Sequence, residues 1–125
     1  MGRVIRMAME TGISLYFRSN RLNIRKKTML DLGSPGYIHL IINEEMKWMF
    51  IQKCERDKDA FHVYYSRKQS SSRFYINAKN FLKYLSRVIG VKEDSDSLRF
   101  SGSLMEDGKT VFINLVDYQV IQNNL

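Results

Sequence analysis

What this chain has little of narrows it quickly. There is one cysteine, Cys54, among 125 residues, so no intramolecular disulfide can staple the fold. With only two histidines, His39 and His62, there is no recognisable zinc-ligand spacing. Proline occurs once, at Pro35, so little stops the backbone from forming regular elements. No apolar run approaches the roughly 20 residues that cross a bilayer as a helix. The opening Met1-Gly2-Arg3-Val4-Ile5-Arg6 has neither an extended apolar stretch nor the Ser or Thr of a myristoylation signal. A cytoplasmic protein with no membrane partner is expected.

Positive charge is plentiful: 20 Lys and Arg against 13 Asp and Glu give a net charge of +7. It gathers in two places, Arg18, Arg21, Arg25, Lys26 and Lys27 in the first half, and Arg67, Lys68, Arg73, Lys79, Lys83 and Arg87 in the second. Acids collect at the expected turns, Glu44-Glu45, Glu55 to Asp59, Glu93 to Asp96 and Glu106-Asp107. This segregation predicts a molecule with basic and acidic sides. At 44% hydrophobic residues and this length, one compact domain over 1–125 is expected, with 1–12 and 122–125 as tails.

The chain echoes itself. Arg21-Leu22-Asn23-Ile24-Arg25-Lys26-Lys27-Thr28-Met29-Leu30 is answered 52 residues later by Arg73-Phe74-Tyr75-Ile76-Asn77-Ala78-Lys79-Asn80-Phe81-Leu82, with Arg, Ile, Lys and Leu at identical offsets. Two apolar runs and a polar turn follow each copy, although the spacing between the hairpins, Lys47 to Lys109, is 62. Half-repeats at about 13–60 and 61–121 are therefore expected.

Alternation predicts strands at 13–18 and 22–24 around a Ser19-Asn20 turn, and a short uncapped helix over 25–32 ending at Gly33. A hairpin is expected from Tyr37–Ile42 and Lys47–Gln52, apolar enough to be buried on both faces or at a dimer seam. Ala60 to Tyr65 reads as a strand and Ser66 to Ser72 as a loose connector. A second helix starts at Asn77 as N-cap and buries Ala78, Phe81, Leu82, Leu85, Val88 and Ile89, with Lys79, Lys83 and Arg87 outside. Two or three strands then span 98–121. The fold class is α+β and β-rich, two β-α-β-β halves.

The pattern Asn20-Arg21-Leu22-Asn23-Ile24, a short helix ending at Leu32-Gly33, then a hairpin with an acidic turn, resembles the swapped-hairpin module of the AbrB-type transition-state regulators and antitoxins. Arg21, Ile24, Leu32 and Gly33 match; Asn20 stands for the family's glycine, Arg25 for its proline, and Gly36-Tyr37 for its Gly-Asp. The likeness covers about 40 residues. It implies two hairpin units interleaved in one small, pseudo-twofold barrel that binds DNA through arginines, here Arg21 and, by the echo, Arg73.

Chemistry of the residues points the same way. A face of Lys and Arg binds polyanions with steep salt dependence, and Tyr16, Phe17, Phe74 and Tyr75 interleave with these charges, as base-stacking rings do. The candidate DNA-binding residues are Arg18, Arg21, Arg25, Lys26, Lys27, Arg73, Lys79, Lys83 and Arg87. No catalytic residue, metal ligand or cofactor is expected: His39 and His62 read as strand histidines, Cys54 as a part-buried hydrophobe. Asp94-Ser95-Asp96-Ser97 lacks the glycine and distal glutamate of a calcium loop. The alternative is a protein-interaction or assembly module, including a homodimer, acting through the apolar hairpin strands and acidic turns.

Overall fold

The computed structural model describes residues 10–68, 71–92 and 96–121. The tails 1–9 and 122–125 and most of the Glu93–Asp96 loop lie outside them. The described residues are β-rich, with two helices. Its elements are β1 (Gly12–Tyr16), β2 (Arg21–Ile24), α1 (Lys26–Asp31), β3 (Tyr37–Asn43), β4 (Trp48–Cys54), β5 (Phe61–His62), β6 (Tyr64–Lys68), β7 (Ser71–Asn77), α2 (Lys79–Ile89), β8 (Ser97–Leu104) and β9 (Thr110–Ile121).

All nine strands join one antiparallel sheet in the order β5-β3-β4-β9-β8-β1-β2-β7-β6. Its two edge strands are consecutive in sequence. β5 pairs with β3, β6 pairs with β7, and only Val63 separates them, its N–H donating to Gly36 O at 2.9 Å. One bent segment thus bridges both edges and brings the sheet to a nearly closed barrel. Around that ring the hairpins β1–β2 and β3–β4 alternate with β6–β7 and β8–β9.

Period-2 alternation sets what points inward. Ile13, Leu15, Leu22, Ile76, Phe100, Val111 and Ile113 are fully buried, while Ser14, Asn23, Tyr75 and Arg99 take the intervening outward positions. Each fully buried aliphatic side chain contributes about 1.5–3 kcal/mol. Because β2 and β7 run antiparallel and each leads into a helix, α1 and α2 leave from opposite ends of the sheet. Met29 and Leu32 from one, and Leu82 and Leu85 from the other, join the same core.

Several elements differ from the sequence expectation. Asn77 does not cap α2: it still pairs with Arg21 in the sheet, so Ala78 takes the cap position and its N–H donates to Asn20 O at 3.0 Å. The Ser66–Ser72 connector is largely strand, since cross-strand pairing from Tyr64↔Tyr75 to Lys68↔Ser71 outweighs the turn preference of serine. The β3–β4 hairpin is buried on one face alone, with Ile38, Met49 and Ile51 inside and Ile41 exposed. β9 is one strand of 12 residues, bent opposite Phe100 and Gly102 by an irregularity that lets it serve two parts of the barrel.

Gly12 belongs to the fold rather than to a tail. Thr28 Oγ1 donates to Gly12 O at 2.8 Å and accepts from Gly12 N at 2.6 Å, tying uncapped α1 to β1. A Cβ at Gly12 would lie 2.1 Å from Phe100 O and 2.8 Å from Arg25 Nη1.

Candidate nucleic-acid interface

Strand register builds a continuous outer surface over β8, β1, β2, β7 and β6. Arg99, Ser14, Asn23, Tyr75 and Tyr64 lie directly across from one another in a single row. On one side of it stand Tyr16, Arg21 and Asn77. On the other, Arg73 pairs with Ser66, and Arg25 follows β2, its N–H donating to Gly12 O at 3.1 Å. Arg21 and Arg73 therefore share one face, two positions to either side of the Asn23–Tyr75 pair. The Arg21 guanidinium carbon is 4.2 Å from the Tyr75 ring centroid, a cation–π contact. Tyr75 in turn stacks on Tyr64 at 5.6 Å.

Beside this row opens a groove of about 410 Å³, lined by Arg25, Lys26, Arg73 and Arg99 together with Ser14 and Asn23. Burial first, then the neighbouring Arg99, pull the Arg25 guanidinium below the usual arginine value, and Glu10 opposes them. Glu10 Oε2 is 3.4 Å from Arg25 Nη1 and 3.8 Å from Arg99 Nη2. Among the described residues, Arg25 Nη2 is buried with no hydrogen-bond partner.

Of the nine expected basic residues, Arg21, Arg25, Lys26 and Arg73 meet on this surface. Arg18 is exposed in the turn after β1. Lys27 turns to Asp31 one helical turn on, forming an ion pair. Lys79, Lys83 and Arg87 are exposed along α2, which starts next to the β1–β2 turn. Phe17 is in the core and Phe74 packs against it, which leaves Tyr16 and Tyr75 as the outward rings. Sequence reasoning missed Arg99 and Glu10. Arg99 was detectable, because Leu98 and Phe100 on either side mark it as the outward residue of an alternating run.

The opposite outer surface is apolar. Ile41, Phe50, Phe112 and Ser103 form a row across β3, β4, β9 and β8, and Trp48 packs edge-on against Phe50 and Phe112.

A third grouping sits at the β3–β4 edge. His39, Cys54 and Asp57 each present a ligand-type atom, all within 4.8 Å of one another, and His39 Nε2 is 2.8 Å from Asp57 Oδ2. Three such donors match a soft divalent cation in kind. Burial, with Asp57 and Glu55, pushes the Cys54 thiol up. Among the described residues, no helix is long and apolar enough to cross a membrane.

No family model, curated protein or solved structure matches the chain.

Proposed function

We propose that this protein is a small non-enzymatic DNA-binding regulator of the cytoplasm that engages the nucleic acid with the outer face of β8, β1, β2 and β7. The observation that carries the reading is the placement of Arg21 and Arg73 on either side of the Asn23–Tyr75 pair, with Arg99, Arg25 and Lys26 on the same surface. Guanidinium groups spaced along a sheet face neutralise phosphates and release counterions, while Tyr75 and Tyr16 offer rings to unpaired bases. Lys79, Lys83 and Arg87 extend positive charge along α2.

The same reading includes a duplicated, interleaved architecture of the swapped-hairpin kind. Its support is topological. Exchanging the two halves of the chain leaves the order of hairpins around the ring unchanged. Residues 52 apart, Asn23 and Tyr75, face each other in β2 and β7, and residues 62 apart, Phe50 and Phe112, face each other in β4 and β9. These are the two spacings of the sequence echo, and equivalent residues meet across an antiparallel pair where a local twofold axis passes between the strands.

Fluorescence anisotropy with labelled duplex and single-stranded DNA across a salt series tests the function. Tight binding at low salt, a steep negative slope of log K against log salt, and its loss in Arg21→Ala plus Arg73→Ala are expected. Weak binding at about 50 mM salt overturns it.

A second reading, an assembly module, is favoured by one observation, the Trp48, Phe50 and Phe112 cluster with Ile41, 47% exposed, on the outer barrel face. Self-association in light scattering that Phe50→Ser abolishes, without DNA binding, would select it.

A further inference from the structure

We propose that the groove lined by Arg25, Arg73, Arg99 and Lys26 is a seat for a single phosphate group, and that Glu10, standing against two of those arginines, is an internal counter-anion that an incoming phosphate displaces. The inference deepens the DNA-binding reading and rests on it for the source of the phosphate, a nucleic-acid backbone.

Charge is the first reason. Arg25 after β2, Lys26 of α1, Arg73 of β7 and Arg99 of β8 line one groove, and among the described residues the carboxylate beside Arg25 and Arg99 is that of Glu10. Charge-assisted N–H···O bonds ordinarily measure about 2.7–2.9 Å, whereas Glu10 stands 3.4 Å from Arg25 and 3.8 Å from Arg99. Its side chain is 44% exposed, so it is a loosely held and replaceable partner.

Unfilled hydrogen-bonding capacity is the second. The Arg25 side chain is 15% exposed, and among the described residues its buried Nη2 has no partner. Its Nη1 also reaches Thr11 O, at 3.5 Å. A buried N–H donor left unpaired is costly, more so on a charged group. As placed, the Glu10 carboxylate reaches both guanidinium groups through one oxygen and only at long distance. A phosphate has more acceptor oxygens, tetrahedrally spread, and guanidinium forks match it in geometry.

Room is the third. The groove holds about 410 Å³, and Gly12, where any Cβ would meet Arg25 Nη1 at 2.8 Å, lets the guanidinium lie against β1. Ser14 and Asn23, the neighbouring outward residues, supply neutral polar groups to the same groove.

Displacement makes Glu10 a threshold: the site takes an anion that outcompetes a tethered carboxylate. Removing the tethered anion therefore strengthens binding, unlike loss of a scaffold residue.

The full-length protein is titrated with inorganic phosphate, ionic strength held constant with chloride, while the arginine Nε–H resonances are followed by NMR. Parallel anisotropy measurements use a labelled oligonucleotide. Saturable shifts at Arg25 and Arg99 are expected. Glu10→Gln should tighten phosphate by roughly 1.4- to 5-fold, the range of weak exposed ion pairs. Arg99→Gln, with unchanged melting, should weaken it about tenfold or more, as charged hydrogen bonds do. Arg25→Gln should act likewise, and Arg99 keeps the test valid if that variant fails to fold. Oligonucleotide affinity moving in step with phosphate supports the backbone source. Phosphate binding that follows Glu10 while oligonucleotide binding is absent supports the seat and fails the DNA reading, leaving a free phosphorylated molecule as ligand. Absent or non-saturable shifts, or a Glu10→Gln variant no tighter than the parent, overturn the seat itself.

Discussion

The guanidinium of Arg21 lies over the ring of Tyr75, 4.2 Å from its centroid, so the ring that would stack on a base is fixed by the cation that would meet a phosphate. The two functions of the surface are separable by substitution. Tyr75→Leu should weaken single-stranded DNA by about 5- to 150-fold, the stacking worth of about 1–3 kcal/mol, without altering the salt slope. Arg73→Ala should reduce that slope by about one and weaken all sequences alike. Salt-dependent anisotropy titrations read both quantities.

Gly12 is predicted to tolerate no side chain. In Gly12→Ala the new methyl would sit 2.1 Å from a backbone oxygen of β8, which cannot swing aside as a side chain can, and 2.8 Å from Arg25 Nη1. A loss of about 1–3 kcal/mol is expected from overpacking, seen as a lower denaturant midpoint with an unchanged m-value.

Thr28→Val keeps the shape of the α1 anchor and removes its hydroxyl. Gly12 O still accepts from Arg25 N at 3.1 Å, but Gly12 N loses its partner in a buried setting. About 1–3 kcal/mol should be lost, and amide exchange at Gly12 should quicken more than at Leu15.

Asp31 should govern part of the acid limb of stability. Its side chain is 11% exposed, and burial alone would raise its pKa. The hydrogen bonds from Lys27 and Thr11 and the Lys27 charge outweigh this and hold the carboxyl below its ordinary value. A folded-state pKa below the unfolded one contributes stability that is present above the unfolded pKa, about 3.9, and is lost as pH falls through the folded value. Asp31→Asn should therefore be less stable than the parent near neutrality, the gap closing below about pH 4. Urea melts between acid and neutral pH measure it.

Much of the barrel was legible in the chain, for a reason particular residues make clear. The alternation Ile13-Ser14-Leu15 and Leu98-Arg99-Phe100, the glycine at Gly90 and the run from Leu82 to Leu85 are local signals, and they coincide with β1, β8 and α2. Where they misled, a tertiary partner had intervened. Ser71 and Ser72 read as turn residues but are held in β7 by pairing with β6, and Asn77 reads as a cap but is held by Arg21. The candidate site was half legible. Arg21 and Arg73 were visible through the echo, whereas the approach of Glu10 and Arg99 to Arg25 joins residues far apart in sequence.

By itself, then, the sequence determined which side chains alternate, where the helices lie and that the molecule is basic, because periodicity and composition act within a few residues of one another. Only the tertiary structure decided which basic residues share a surface. Closing the sheet through the bend at Val63 interleaves the hairpins, and register between strands distant in sequence then places Arg21, Arg73, Arg25 and Arg99 on one face and Phe50 with Phe112 on another. Register is a property of pairs of strands, set by burying both inward faces at once.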